Sequence, residues 1–485
     1  MANQGLEALT YAARPAVVAR YLGELALVLA ALAVPPGLAG FWFAEHAIAW
    51  RYIAVGAALG SCGWLLARRP APAHIQANEA LVVTAAAYLL ASVAMAYPMT
   101  AAGLAPADAL FESVSGITTT GLTMIANVEA APRTLVFARS WLQWCGGLGI
   151  VVLSIALLMG NDVAARRLID PIPAGEHLAT TTRAFARRVA VTYVILTLLG
   201  IVALFALGMR PFDALNFALT GISTGGFAPR TESLAALDGW TLGAAVTTIG
   251  LVGAISLPLV GALARGDWRR VAGDTELRTL LVVTALVCGT LALLGLSAGA
   301  PASVGDRVLL GVSAQSTTGF APVAPGELDA ASKVVLMAAM ATGGSVGSTA
   351  GGVKILRLLV LLGLLRLLLR RAAMPARAVA PLSVLGRPVT GEQALALLAV
   401  ALVFPLATFV SWLPFLAAGL DPLDSLFDVV SGLGTVGLSS GITSPDLAPA
   451  LKIVLGLDML LGRVEFFAML ILLYPATWLA RRQSE

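Results

Sequence analysis

Between Asp108 and Gly121 the chain reads DALFESVSGITTTG, and this fourteen-residue pattern returns three more times. It recurs as DALNFALTGISTGG from Asp213 to Gly226, as DRVLLGVSAQSTTG from Asp306 to Gly319, and as DSLFDVVSGLGTVG from Asp424 to Gly437, without gaps. Asp opens every copy. A hydroxyl residue stands six before the last glycine (Ser115, Thr220, Ser313, Ser431), and threonine stands two before it (Thr119, Thr224, Thr317, Thr435). A large apolar residue follows each time (Leu122, Phe227, Phe320, Leu438). Internal repetition of this kind decides the architecture before any single segment is read.

Composition says what surrounds the blocks. Of 485 residues, 58% are hydrophobic and 12% charged, and the mean hydropathy is +0.88. Ordinary globular chains carry roughly a quarter charged residues, so this one lacks the polar surface to face water and must face lipid or itself. The 49 glycines suit helices that pack closely in a bilayer or lead into pore loops. Cys62, Cys145 and Cys288 lie singly in apolar segments and read as packing thiols, while His46, His74 and His177 are isolated near loops; neither set has metal-site spacing. The first long apolar run begins after Arg20 and has the length of a span, not of a cleavable leader.

A bilayer crossing takes ~20 apolar residues. Two such runs come first, near 21–43 and 52–66. Each block then lies between two more: 80–99 and 134–159, 189–207 and 240–264, 280–296 and 331–369, 394–415 and 451–479. The expected fold is therefore an all-α membrane protein of ten transmembrane helices: two N-terminal helices and four pseudo-fourfold span–pore-loop–span repeats. The corresponding divisions are an extension over 1–75 and repeats over 76–165, 166–270, 271–375 and 376–485.

Each block is too short to cross as a helix. Three open with proline and an acid in the first turn (Pro106 and Asp108, Pro211 and Asp213, Pro422 and Asp424), while the third is looser, with Pro301 before Asp306. Proline followed by an acid is a helix-opening signature. A half-helix that dips in, stops at small hydroxyl residues and returns as extended chain is tolerated at membrane depth only inside protein or beside water. The basic clusters orient the whole. Arg68/Arg69, Arg166/Arg167 with Arg183/Arg187/Arg188, Arg265/Arg269/Arg270/Arg278, Arg366/Arg370/Arg371 with Arg377/Arg387, and Arg481/Arg482 all fall on one side. By the positive-inside rule that side is cytoplasmic, both termini lie there, and all four blocks enter from outside.

Potassium-selective filters replace the hydration shell of the ion with rings of backbone carbonyls from TVG-type loops. Here the literal Thr435-Val436-Gly437 has three relatives: Thr119-Thr120-Gly121, Thr224-Gly225-Gly226 and Thr317-Thr318-Gly319. Glycine lets the backbone turn a carbonyl without a Cβ clash, and half-helix C-termini favour a cation between them. The register that aligns Asp213, Thr220 and Thr224 makes Gly226, not Gly225, the filter glycine of the second block. The bland alternative, four glycine-rich turns between packed helices, does not account for four copies in register. These twelve residues are the candidate cation ligands.

At these residues the chain resembles the superfamily of potassium transporters that includes TrkH, KtrB and the plant HKT proteins, from about residue 80 to the end; the two extra N-terminal spans are closer to TrkH. The resemblance implies that Gly121, Gly226, Gly319 and Gly437 form the filter. Sodium-preferring relatives carry serine at the first position, so Gly121 implies potassium. Gly343, Gly344, Gly347, Ser348, Gly351 and Gly352, in a run ending at Lys354, resemble the intramembrane gating loop of the family, with Ala350 where another glycine is expected. A glycine–serine run cannot hold a lipid-exposed helix, and it lacks the glycine–lysine–hydroxyl order of a nucleotide P-loop; a passive kink is the alternative. Lys354 either joins the gate or snorkels to the cytoplasmic interface. Leu461-Gly462-Arg463-Val464-Glu465-Phe466 is similar to the family's Gly-Arg-Leu-Glu segment, which places Arg463 under the filter with Glu465 as partner, or as a structural anchor. Trp144-Cys145-Gly146-Gly147-Leu148-Gly149 matches the first outgoing span, where the glycines read as packing residues.

The expected activity is potassium uptake across a bacterial cytoplasmic membrane, with potassium the bound and transported ion. The resemblance implies a homodimer and a cytoplasmic nucleotide-binding regulatory subunit of the TrkA type; no nucleic-acid partner is expected. A sodium-conducting relative is the nearer rival, and coupling to protons or sodium stays open. An intramembrane enzyme would need a catalytic pair at membrane depth, such as two aspartates or Ser with His, and the sequence offers none.

Overall fold

The computed structural model describes residues 12–70, 75–159, 178–298, 303–375, 383–384, 387–388 and 391–479. Arg166, Arg167, Arg377, Arg481, Arg482, His74, His177 and Pro301 lie outside the described residues. The chain forms two compact units, one of Met1–Leu110 with Val464–Glu485 and one of Phe111–Arg463.

In the first unit the helices are α1 (Pro15–Leu32), α2 (Val34–Trp42), α3 (His46–Ala67) and α4 (Ala77–Met99). Helices α1 and α3 meet through glycine: a Cβ on Gly23 would stand 2.6 Å from the Leu66 Cβ, and one on Gly63 would stand 2.8 Å from the Gly23 carbonyl oxygen. Small residues permit such backbone approach in membranes. Glu79 in the first turn of α4 is fully buried. It is held by Arg14 Nε at 2.8 Å and Nη2 at 3.0 Å, and by the Gln76 N–H at 2.9 Å.

The second unit carries the blocks; the last two helices of the described chain, Phe467–Leu473 and Ala476–Leu479, belong to the first unit. After α5 (Pro106–Ile117) come α6 (Arg133–Met159), α7 (Leu178–Ala206), α8 (Pro211–Ile222), α9 (Trp240–Gly253), α10 (Leu257–Ala264), α11 (Trp268–Gly273) and α12 (Thr275–Ala298). They are followed by α13 (Val304–Gln315), α14 (Ala330–Thr342), α15 (Ile355–Ala372), α16 (Gly391–Ala417), α17 (Pro422–Leu433) and α18 (Pro449–Arg463); α19 (Phe467–Leu473) and α20 (Ala476–Leu479) close the described chain. Along α7, α12 and α16 the exposed side chains include Leu198, Val202, Phe205, Leu286, Leu293, Leu402, Leu406 and Phe409. The side chains of Ser115, Thr220, Ser313 and Ser431 are buried instead. Apolar outside and hydroxyl inside inverts the soluble pattern and fits a lipid-facing exterior.

Among the described residues five helices are long and apolar enough to cross a membrane, with a sixth if a bent pair counts as one. Fewer helices qualify than the ten runs read from sequence, and three of those runs are broken. The 331–369 run divides at the glycine–serine stretch, as the sequence indicates. The 240–264 run, expected as one span, instead bends by 103° between α9 and α10. Pro258 at the start of α10 cannot continue α9, and the freed backbone is satisfied by the loop after α14: Leu257 N–H donates to Gly347 O at 3.1 Å and Ala254 O accepts from Ser345 N–H at 3.0 Å. The 451–479 run likewise stops at Arg463, with Glu465 and Phe466 at φ 58° and 59°. One small departure from all-α is a two-residue antiparallel pair, Ser383–Val384 with Arg387–Pro388.

Candidate functional site

All four blocks form a twelve-residue helix (α5, α8, α13, α17) with the block aspartate in its first turn. Pro106, Pro211 and Pro422 open three of them at the first position. The looser third copy is opened by Ser303, whose Oγ accepts from Asp306 N–H at 3.1 Å while donating to Asp306 Oδ2 at 2.6 Å. A serine N-cap of this kind is a sequence signal the proline pattern hides.

The helices end alike. Thr119, Thr224, Thr317 and Thr435 N–H groups donate three residues back, to Gly116, Gly221, Ala314 and Gly432 O; the following N–H groups donate five back, to Ser115, Thr220, Ser313 and Ser431 O. This is a Schellman end, which normally places glycine at the left-handed residue. Here threonine holds that place, with φ of 52°, 51°, 54° and 49°. A β-branched residue with positive φ is an outlier, and the left-handed region costs about 1–2 kcal/mol per residue. Four such threonines mark a constrained site. Thr119 Oγ1 and Thr435 Oγ1 are buried with no hydrogen-bond partner among the described residues.

The candidate filter glycines follow at φ 100°, 78°, 81° and 94° for Gly121, Gly226, Gly319 and Gly437. A Cβ on each would strike a carbonyl oxygen of the next block: Gly121 that of Gly225, Gly226 that of Thr318, Gly319 that of Val436, and Gly437 that of Thr120. The order one to two, two to three, three to four and four to one closes a ring. The structure thus brings all twelve candidate filter residues together in four mutually touching strands.

The column of hydroxyls has a local role in two blocks. Ser115 Oγ accepts from Gly121 N–H at 3.0 Å and Ser431 Oγ from Gly437 N–H at 3.1 Å, whereas Thr220 Oγ1 donates to Asn216 O at 2.9 Å. Sequence reasoning missed the buried acids behind the same two strands. Glu112 and Asp428 share one block position, filled by Phe217 and Leu310 in the others. Glu112 accepts from Thr123 Oγ1 and from Arg139 Nε at 2.8 Å; Asp428 accepts from Ser439 Oγ, Ser440 N–H and Thr443 N–H at 2.7–2.9 Å. The repeat of an acid one turn into blocks one and four is the sequence signal that marks them. Arg139 and Glu112 are 2% and 0% exposed, and breaking a buried pair leaves a bare charge. Glu112→Ala is therefore expected to cost about 3–5 kcal/mol, read as a lower melting temperature of the detergent-solubilised protein, with Glu112→Gln costing less.

Below the strands lies the 343–354 loop. Gly351 N–H donates to Thr317 Oγ1 at 2.8 Å, Gly352 N–H to Gly434 O at 3.1 Å, and Thr349 Oγ1 stands 3.3 Å from Thr224 Oγ1. Thr349 Oγ1 also reaches Ile222 O and Gly253 O, both at 2.9 Å. A Cβ on Gly351 would strike Gly434 O and Thr435 Oγ1, and one on Gly344 would stand 2.5 Å from the Ala350 Cβ. Gly343, Gly347 and Gly352 have φ of 68°, 75° and 72°, and Ser348 Oγ donates within the loop to Ser345 O at 2.5 Å. Lys354 does not snorkel: it is buried, and its Nζ donates to Ala350 O. Arg463 donates from Nη1 to Thr349 O at 2.8 Å and from Nη2 to Gly146 O at 3.1 Å. Two further side chains brace the loop without any mark in the sequence pattern, Gln315 (Nε2 to Gly343 O, 2.8 Å) and Glu276 (Oε1 from Val346 N–H, 2.7 Å). The packing reading of Gly146 and Gly147 holds, since a Cβ on them would strike Ile117 O and stand 2.8 Å from Ser223 Cβ.

Among the described residues no group of three or more His, Cys, Asp and Glu could hold a metal ion; the acceptor atoms of the four-strand ring are neutral oxygens. An α-helical integral membrane protein with a ring of four helix-end loops, packed against a glycine–serine loop, is the class these features define. The family model described as TrkH, cation transport protein, matches residues 46–478, and the chain belongs to that family. It is 32% identical to the Trk system potassium uptake protein TrkH of Vibrio parahaemolyticus, over 76% of this chain and 79% of that one. It is 29% identical to an uncharacterized cation transporter of Methanocaldococcus jannaschii, over 93% and 94% of the two chains. The crystal structure of the potassium transporter TrkH from Vibrio parahaemolyticus aligns with a TM-score of 0.85 at 27% identity, covering 96% of this chain and 99% of that one.

Proposed function

We propose that this chain takes up potassium through a selective pore at the centre of the four-strand ring. The closed circuit of glycine-to-carbonyl contacts, each behind a left-handed threonine, carries the reading. Carbonyls of the Thr119–Gly121, Thr224–Gly226, Thr317–Gly319 and Thr435–Gly437 strands replace the hydration shell, with the threonine hydroxyls beneath. The names of the relatives, potassium uptake proteins and a potassium transporter, point the same way.

In this reading the chain spans the bacterial cytoplasmic membrane ten times with both termini inside, which the placement of its arginine clusters supports. Its four repeats and N-terminal extension follow the divisions drawn from the sequence. The 343–354 loop closes the pore against Thr224, Thr317 and Thr435, and Arg463 latches it. Opening withdraws the loop from those threonines. A homodimer and a TrkA-type nucleotide-binding subunit complete the assembly, the latter docking on exposed cytoplasmic arginines such as Arg269 and Arg270.

Growth of a potassium-uptake-deficient bacterium at micromolar to low-millimolar potassium tests the function. Expression of this chain rescues growth; failure by well-expressed protein rejects the reading. A Gly121→Ser variant places a side chain against the Gly225 carbonyl. It is expected to let sodium compete with potassium in the same flux assay.

A further inference from the structure

The second block carries an extra glycine, Gly225, where its counterparts are Thr120, Thr318 and Val436. In blocks one and three that residue braces its own strand: Thr120 Oγ1 lies 2.8 Å from Thr118 Oγ1, and Thr318 Oγ1 lies 2.6 Å from Ser316 Oγ. Gly225 has no side chain to do this. The missing brace comes from outside the block, from Gln143 on α6.

Gln143 is fully buried. Its Nε2 donates to Gly225 O at 2.5 Å and its Oε1 accepts from Phe227 N–H at 3.1 Å, so one amide grips the backbone on both sides of Gly226. Those backbone partners fix which end of the amide is which. One turn earlier on the same face, Arg139 sets its guanidinium 3.9 Å from the Phe227 ring centroid and donates to Thr123 Oγ1 at 2.8 Å. Residues four apart share a helix face, so α6 holds the first two filter strands with two side chains.

The equivalent place on α9 shows the exchange. Glycines Gly146 on α6, Gly253 on α9 and Gly462 on α18 each abut the carbonyl that ends the half-helix of their own repeat, Ile117, Ile222 and Leu433 O. Three residues before them stand Gln143, Gly250 and Met459. A Cβ on Gly250 would meet the Thr318 side chain, just as a Cβ on Gly225 would meet the Gln143 amide. Large opposite small in one junction is small opposite large in the next.

We infer that Gln143 is a specificity-determining positioning residue: it stands in for the side chain absent at Gly225 and holds the second filter strand in register with the other three. This deepens the potassium-pore reading and rests on it. A strand freed of two hydrogen bonds around Gly226 can follow a smaller ion inward, so its loss costs discrimination between ions more than throughput.

The test is the ratio of potassium to sodium uptake in proteoliposomes for wild type, Gln143→Met, Gln143→Gly and the double variant Gln143→Gly with Gly225→Thr. Both single variants are expected to lose about tenfold in the ratio, the scale of two net hydrogen bonds. The double variant recovers part of it by rebuilding the third-strand arrangement. A wild-type ratio in Gln143→Met, or a double variant no better than Gln143→Gly, overturns the inference. Failure of the single variants to insert in the membrane makes Gln143 a folding residue and overturns it too. Wild-type protein that moves no potassium would sink the pore reading itself, a distinct outcome.

Discussion

Replacing Gly437 with alanine is expected to reduce potassium uptake by about a hundredfold or more at unchanged protein level, the cost of a site displaced by about an ångström. Two constraints meet at this residue. Its φ of 94° lies where an alanine Cβ is strained, worth only about 1–2 kcal/mol. The steric conflict weighs more: that Cβ would overlap the Thr120 carbonyl oxygen and stand 2.9 Å from Gly121 Cα. Backbone cannot yield as a flexible side-chain tip can, so either the fourth strand or the first must move. Because the strands touch in a closed ring, displacement of one disturbs its neighbours. Rubidium or potassium uptake into proteoliposomes measures the loss. Near-normal uptake in the alanine variant would show that the ring does not carry the ion.

Arg463→Ala is expected to act in the opposite direction, raising resting flux through the protein in the absence of any regulatory partner. The guanidinium ties the 343–354 loop to α6 through Thr349 O and Gly146 O. Hydrogen bonds to a charged group contribute about 1.5–3 kcal/mol each. Contacts made only while the loop is seated bias the closed state by their full difference, so losing about 3 kcal/mol shifts the open-to-closed ratio on the order of a hundredfold. Both partners of the guanidinium lie outside the four candidate filter strands, so the ratio of potassium to sodium flux is expected to stay at the wild-type value. Basal flux identical to wild type would remove Arg463 from the gate and leave it a packing residue.

How far the sequence could be read follows from what kind of signal each part carries. The blocks were legible because the same local geometry is needed four times, and each copy needs threonine and glycine at the same two backbone positions. The interruption at 343–354 was legible because glycine and serine cannot sustain a lipid-facing helix. Side chains that act across repeats left no periodic mark. Gln143 and Gln315 read as ordinary polar positions on apolar helices, and their partners are backbone groups 82 and 28 residues away in sequence. Glu79, Glu112, Asp428 and Asp458 look like surface acids until burial is known; Asp458, fully buried on α18, accepts from Ser411 Oγ at 2.5 Å. The bend after Gly253 hides inside a continuous apolar run, because its freed carbonyls are satisfied by a loop about ninety residues later. Lys354, balanced between two roles by its sequence position, is buried and bonded to Ala350 O within its own loop.

The central claim is that four peptide strands of one chain surround a dehydrated potassium ion. Crystals or cryo-EM samples prepared in thallium or rubidium test it most directly. The account predicts density for the heavy ion on the line equidistant from Gly121, Gly226, Gly319 and Gly437, lost when the sample is exchanged into sodium. Density elsewhere, or a map in which those four glycines do not share a centre, would contradict it.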